Sequence, residues 1–223
     1  MKRILTQLLA ATIACSALAQ GQAPTGEQST TVAKGQVFSQ PSFRLELPLP
    51  DGWHIASREV RDFRKMKAMD ITKMDEETRA YTQQRVRRLL VVQKFPSGTA
   101  RGKNTSLSIN STHAGQALEG MTAVEYQNAV VSQLLSSGMK AEVLAKPAEA
   151  KLGGRSFSTV ETKLSFQGFT IYQRQYDCFD GEYILNIQIA APSQEELIAT
   201  DKLIQKIVFD KGVSNKPSGG DGK

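Results

Sequence analysis

A chain of 223 residues, 40% of them apolar, can bury one sizeable core, and its length fits a single folded domain. The formal net charge is +6, and thirteen basic residues face six acidic ones between Arg58 and Lys103. His54, His113 and two cysteines show no H-x-x-x-H or C-x-x-C spacing, so neither a metal nor another cofactor is expected.

The first nineteen residues, MKRILTQLLAATIACSALA, place Lys2 and Arg3 before an apolar run from Ile4 to Ala14 and finish with Ala17 and Ala19. This is the anatomy of a secretory signal peptide cleaved after Ala19, and the expected location is periplasmic or extracellular. The competing signal, a lipidated Cys15, has Thr12 where leucine is usual. Cleavage after Ala19 leaves Cys178 alone, so no internal disulfide is expected. Residues 20–34 and 212–223 are polar and rich in Gly, Pro and Ser, and read as a linker and a tail around one domain at 35–211.

QVFSQPSFRLELPLP predicts a short strand, a turn at Ser39 to Ser42, and a second strand with Phe43, Leu45 and Leu47 on one face. Pro48 and Pro50 end it, Asp51-Gly52 turns the chain, and Trp53, the only tryptophan, is expected to drop onto the core. Between Ser57 and Arg87, the spacing of Val60, Phe63, Met66 and Met69 predicts a basic amphipathic helix, with a second helix from about Asp75. RLLVVQKF reads as a strand, and TSLSIN as a half-buried one with Leu107 and Ile109 inward. Thr122 and Glu125 form a capping box for a helix buried through Val130, Val131, Leu134 and Leu135 and stopped by Gly138.

Three alternating runs follow from Arg155 to Pro192, divided by Gln167-Gly168 and Asp180-Gly181, and they predict an antiparallel meander. Two-residue turns make paired positions sum to 335 and then 361. Phe157, Tyr172, Tyr176, Cys178, Tyr183, Leu185, Ile187 and Ile189 then share one face, and Val160, Leu164, Phe166, Phe169 and Ile171 the other. Both faces carry apolar residues, so both need a covering layer. Ser193 and Glu196 form a second capping box, and Leu197, Ile204, Ile207 and Val208 line the closing helix. The fold class is α+β, an antiparallel sheet between helical layers.

No stretch supplies a complete catalytic motif. GTARGKN has three residues between its glycines and Asn104 after Lys103, and a strand follows, so it is no phosphate loop. Cys178 in mid-strand reads as an inert core thiol, and GRSFS lacks the glycines of a nucleophile elbow. Asn104 and Asn110 begin N-x-S/T triplets that also arise by chance in polar strands. The register sets Glu161 opposite Arg174, either a structural pair or an arginine at the lip of a groove.

FRLELPLPDGW, the capped helix, LGGRSF leading into a meander and a last helix ending IVFD together resemble the PsbP/Mog1-like family over about Gly35 to Asp210. The resemblance implies a three-layer α/β/α sandwich without enzymatic activity, and no binding residue is carried over. The expected role is an exported, non-catalytic envelope module whose partner is a protein or an anionic envelope component, not a nucleic acid. Its candidate contact surface is Arg58, Arg61, Arg64, Arg85, Arg87 and Arg88. The alternative is a small-ligand carrier with a groove marked by Trp53, Tyr172 and Arg174.

Overall fold

Alternating residues build most of the fold. The computed structural model describes residues 30–57, 86–96, 104–115, 119–166 and 168–210. The signal sequence, the tail and the helices predicted between 58 and 85 lie outside the described residues.

The strands are β1 (Thr30–Thr31), β2 (Val37–Gln40), β3 (Leu45–Pro48), β4 (His54–Ser57), β5 (Val86–Gln93) and β6 (Ser106–His113). Helix α1 (Ala123–Ser136) precedes the long strands β7 (Lys140–Leu152), β8 (Arg155–Phe166), β9 (Phe169–Asp180) and β10 (Tyr183–Ala191), and helix α2 (Gln194–Ile204) leads to β11 (Val208–Phe209). An eight-stranded sheet runs β1-β4-β5-β6-β10-β9-β8-β7, antiparallel at every pairing, and a three-stranded sheet runs β11-β3-β2. The class is α+β, as the sequence predicts.

The first meander register is the expected one, with Val160 opposite Gln175 and Glu161 opposite Arg174. The second slides by two positions: Tyr183 pairs with Asp180 and Leu185 with Cys178, because the turn residues are Gly181 and Glu182. An even slip preserves side-chain parity, so the assigned faces survive. Tyr176, Cys178, Leu185, Ile187 and Ile189 all enter the main core.

Several elements differ from expectation. Strand β1 pairs with β4 and Val32 is buried, so the chain joins the sheet before Gly35. Phe43 lies in a 3-10 turn, Pro41–Phe43, and Arg44 at φ 52 reverses the chain before β3 begins. Ser57 belongs to β4 and Val86 and Arg87 to β5, not to helices. The longest strand, β7, has no counterpart in the sequence reading: its Ala-, Lys- and Glu-rich composition suits a helix. It is an edge strand, and Pro147 falls where its register breaks, positions that need no ladder donor. The closing helix stops at Ile204, so Val208 is an exposed strand residue and not part of a helical stripe.

Both helices start where their caps predict. The capping box of Thr122 and Glu125 is complete, with Thr122 N donating to Glu125 Oε2 at 2.8 Å and Glu125 N to Thr122 Oγ1 at 3.2 Å. Val130 and Leu134 are buried, but Leu135 is exposed, and Tyr126 and Gln127 complete the inner stripe. At α2 only half of the predicted box forms. Glu196 N donates to Ser193 Oγ at 3.2 Å, while the Glu196 carboxylate turns to Lys94 and Thr105.

The main core joins the two sheets. Phe43, Leu45, Leu47 and Phe209 from the small sheet and its approach meet Leu107, Ile109, Tyr176 and Ile187 of the large one, with Leu197 and Ile204 of α2. Trp53 packs against this cluster as expected, and its carbonyl accepts from Val32 N at 2.6 Å. The strand β6 is not half-exposed: Ser106, Ser108, Asn110 and Thr112, facing away from this core, are buried too.

The β7–β8 turn is pinned beneath β11. At Gly153, φ is +55 and a Cβ would lie 2.7 Å from Ile207 O and 3.0 Å from a Phe209 ring carbon, whereas at Gly154, φ +81, it would meet nothing. Gly153→Ala is expected to lower unfolding free energy by about 2–3 kcal/mol, against about 1 kcal/mol for Gly154→Ala, in urea denaturation. Equal losses would show that the close approach contributes nothing.

Candidate functional site

The sequence-derived contact surface does not assemble as one patch among the described residues. Arg58, Arg61, Arg64 and Arg85 lie outside them. Arg87 and Arg88 are strand neighbours opposite Ser111 and Asn110, so they point to opposite faces of the sheet. Arg87 is exposed, while Arg88 is half-buried and its Nε is enclosed.

Nor do Trp53, Tyr172 and Arg174 frame a groove. Trp53 precedes β4 and Tyr172 lies on β9, four strand spacings of about 4.8 Å away, or roughly 19 Å. The start of α2 lies over that interval, with Glu196 on Lys94 and Thr105, and Gln194 Nε2 reaching Glu161 Oε1 at 3.5 Å. Arg174 is committed at both terminal nitrogens, to Glu161 Oε2 at 2.7 Å and to Asp201 Oδ2 at 2.7 Å. Tyr176 donates to the other Asp201 oxygen at 2.6 Å. Burial works against the Arg174 charge, but the two carboxylates outweigh it and raise its pKa. The sequence locates the Glu161 half of this cluster, while Asp201 arrives from α2.

The alternate residues of β9 face α1 and form a second cluster. Asp177 is fully buried and accepts three amide bonds: from Asn186 Nδ2 at 2.8 Å, Gln127 Nε2 at 2.9 Å and Gln175 Nε2 at 2.7 Å. Burial raises its pKa and the three amides oppose the rise. Gln127 also receives Ser158 Oγ at 2.7 Å and donates to the Ser158 carbonyl at 3.1 Å, so one side chain anchors α1 to β8 and β9. The space between α1 and β8–β9, lined by Val130, Leu134, Val160 and Gln173, is about 20 Å³, the size of one water.

Cys178 is 2% exposed, and burial pushes its thiol up to about 12, which removes the thiolate a nucleophile needs. Among the described residues no group of three His, Cys, Asp or Glu side chains is placed to hold a metal. No helix among them is long and apolar enough to cross a membrane.

One surface feature has the dimensions of a binding site. A cleft of about 360 Å³ opens where the 3-10 turn, the β7–β8 turn, the end of β9 and β11 converge. Phe43 and Phe209 line it, with Arg44, Arg155, Asp180 and Asp210 around them. Arg155 donates to Asp180 Oδ2 at 3.2 Å and to the Phe179 carbonyl at 3.1 Å, and lies 5.4 Å from the Phe209 ring centroid. The Arg44 carbonyl accepts from Asp210 N at 2.9 Å, which fixes the left-handed backbone at that residue. Beside the cleft, Tyr183 is 42% exposed, edge-on to Phe43 at 6.2 Å and 5.1 Å from His113, which pairs with Glu182 at 3.1 Å. Sequence reasoning missed all of these cleft residues; the Asp180-Gly181 turn and Gly153-Gly154 mark only the chain reversals that bring them together.

Asp177→Asn would place an amide N–H against side chains that already donate, so a loss of about 2–4 kcal/mol is expected in thermal or urea unfolding, although a buried charge is removed. An unchanged stability would show that the three amides do not depend on a carboxylate. Burial pushes Glu196 up, but bonds from Thr105 and Lys94 prevail and hold it below its ordinary 4.5. Its contribution is therefore full above pH 4.5 and lost as pH falls through the lower folded value. The Tm gap between wild type and Glu196→Gln should close on acidification, and a gap independent of pH would refute the assignment.

No family model matches the chain, and no curated protein sequence matches it. Among solved structures it is similar to LpqN of Mycobacterium tuberculosis, a protein involved in cell envelope biogenesis, at 13% identity over 81% of this chain and 90% of that one, with a TM-score of 0.45. It is also similar to the cyanobacterial PsbP of Synechocystis sp. PCC 6803, at 13% identity over 82% and 94% of the two chains and a TM-score of 0.43. A Pseudomonas aeruginosa protein of unknown function matches at 12% identity over 77% and 94%, with a TM-score of 0.39.

Proposed function

We propose that the chain is an exported, non-catalytic accessory module that binds a protein partner in the cell envelope through the cleft beside Arg44. The observation that carries this reading is the cleft's composition: two aromatic rings, two arginines and an exposed tyrosine beside them, the residue types enriched at protein contacts. Its charges balance, Arg44 and Arg155 against Asp180 and Asp210, which favours a protein surface over a polyanion. Export rests on the anatomy of residues 1–19. The non-catalytic reading is supported by the engagement of the buried ionisable groups, since Asp177, Glu161, Asp201 and Arg174 are held by structural partners. The finer layering, a three-layer α/β/α sandwich with helices on both faces, belongs to the same proposal. It draws on α1 touching Gln175 and Asp177 while α2 touches the intervening Arg174 and Tyr176.

The basic stretch of Arg58, Arg61, Arg64, Arg85 and the exposed Arg87 is proposed as a second contact, for an anionic envelope component, on charge alone. The small-ligand carrier has less to support it, because the space beneath α1 accommodates about one water and Arg174 is occupied.

A photo-crosslinking residue at Tyr183 should trap one discrete partner in intact envelopes, while the same residue at the exposed Ile198 on α2 should not. Arg44→Glu should then weaken binding of that purified partner by roughly thirtyfold, as for a central interface residue, with Tm unchanged. Equal trapping at both positions, or unaltered affinity, would refute the assignment of the cleft.

A further inference from the structure

Among the described residues Arg44 is the only one other than glycine with a left-handed backbone, at φ 52, and it lines the cleft. A side-chain-bearing residue is held in that conformation against strain, and such positions cluster at ligand clamps and switch regions.

The strain has a consequence for charge. The bond from Asp210 N to the Arg44 carbonyl continues the β11–β3 ladder one step past the Phe209–Leu45 pair, which sets Arg44 and Asp210 opposite each other. Their α-carbons are then about 5.5 Å apart. Opposite charges at facing positions of a regular ladder ordinarily meet. Here they do not: the cleft's ion pair is Arg155 with Asp180, and neither the Arg44 nor the Asp210 side chain is paired. A left-handed residue leaves the pleat, so its side chain does not follow the alternation that would bring it over its neighbour.

Two kinds of charge therefore line the cleft. Arg155 is engaged by Asp180, the Phe179 carbonyl and the Phe209 ring. Arg44 and Asp210 are exposed and open, one cation and one anion beside the buried rings of Phe43 and Phe209. A purely acidic guest is repelled by Asp210 and a purely basic one by Arg44, whereas a guest with one charge of each sign satisfies both. In an extended chain, residues two positions apart share a face at about 6.8 Å, close to the separation of the two anchors.

We propose that the partner docks an extended segment bearing an acidic and a basic residue two positions apart, the carboxylate on Arg44 and the cation on Asp210, with an apolar side chain against Phe43 and Phe209. This rests on the reading of the cleft as the partner's site and adds the charge pattern the partner must carry.

The test titrates the full mature protein with the peptide acetyl-Leu-Ser-Glu-Ser-Lys-Ser-Leu-amide and follows the Gly154 and Asp210 amides and Arg44 Nε–H by nuclear magnetic resonance. Three control peptides carry two Glu, two Lys or two Gln at the charged positions. Saturable shifts are expected with the mixed-charge peptide, and binding about fivefold weaker with each control. Arg44→Gly, which keeps the left-handed backbone and removes the guanidinium, should weaken the mixed-charge peptide about fivefold without lowering Tm, and Asp210→Asn should do the same. Equal binding of all four peptides would overturn the charge pattern and leave the cleft as a peptide site. Shifts with none of them, or affinity unaltered in either variant, would also overturn it, while trapping at Tyr183 reports separately on whether the cleft is the partner's site.

Discussion

The buried carboxylate of Asp177 sets the terms for much of this structure. An anion enclosed so completely is tolerated only where donors converge on it, and those donors come from α1, β9 and β10 at once. Gln127 must therefore point inward from α1, which fixes the rotation of the helix, and its second bond to Ser158 fixes the helix across β8 and β9. The apolar contacts of Val130, Ile184 and Leu134 add stabilisation, but they are less demanding about direction. Hydrogen-bond geometry thus organises the α1 face, while the opposite face combines apolar packing with the ion pairs of Arg174.

The two faces also differ in how readily they could be read from the chain. Apolar alternation in SLSIN and YILNIQIAA locates Leu107, Ile109, Leu185, Ile187 and Ile189, and all enter the main core. Parity made that assignment robust, since even a turn displaced by one residue left every side chain on its assigned face. The intervening polar residues of β6 read as the exposed side of a half-buried strand, because composition cannot distinguish a polar residue in water from one inside a network. Strand β7 escaped notice for a related reason: KAEVLAKPAEAKL has helix-forming composition, and it is a strand because β8 offers a ladder along nearly its whole length.

Candidate site residues were harder to find because sites are assembled from distant segments. The sequence put Glu161 opposite Arg174 correctly, since a hairpin register is local arithmetic. It could not supply Asp201, which α2 brings from beyond the meander to occupy the second guanidinium nitrogen. That one contact turns a candidate ligand-binding arginine into a clamp between sheet and helix. The cleft is more extreme still, drawing on the 3-10 turn, the β7–β8 turn, the end of β9 and β11, with no motif spanning any two of them.

How those four segments are held bears on what the cleft can do. Gly153 lies so close under Ile207 and Phe209 that β11 and the β7–β8 turn behave as one unit. The bond from Asp210 N to the Arg44 carbonyl then ties the 3-10 turn to the same unit and holds Arg44 in a backbone conformation that a side-chain-bearing residue rarely adopts. Arg155 is likewise fixed by Asp180, the Phe179 carbonyl and the Phe209 ring. Binding costs rise with every side chain or loop that must be ordered on contact, so a cleft ordered by the fold loses less on association than one built from loose loops. The strain at Arg44 and the absence of room at Gly153 are therefore consistent features of a preformed surface, and the aromatic pair of Phe43 and Tyr183 extends that surface beyond the cleft.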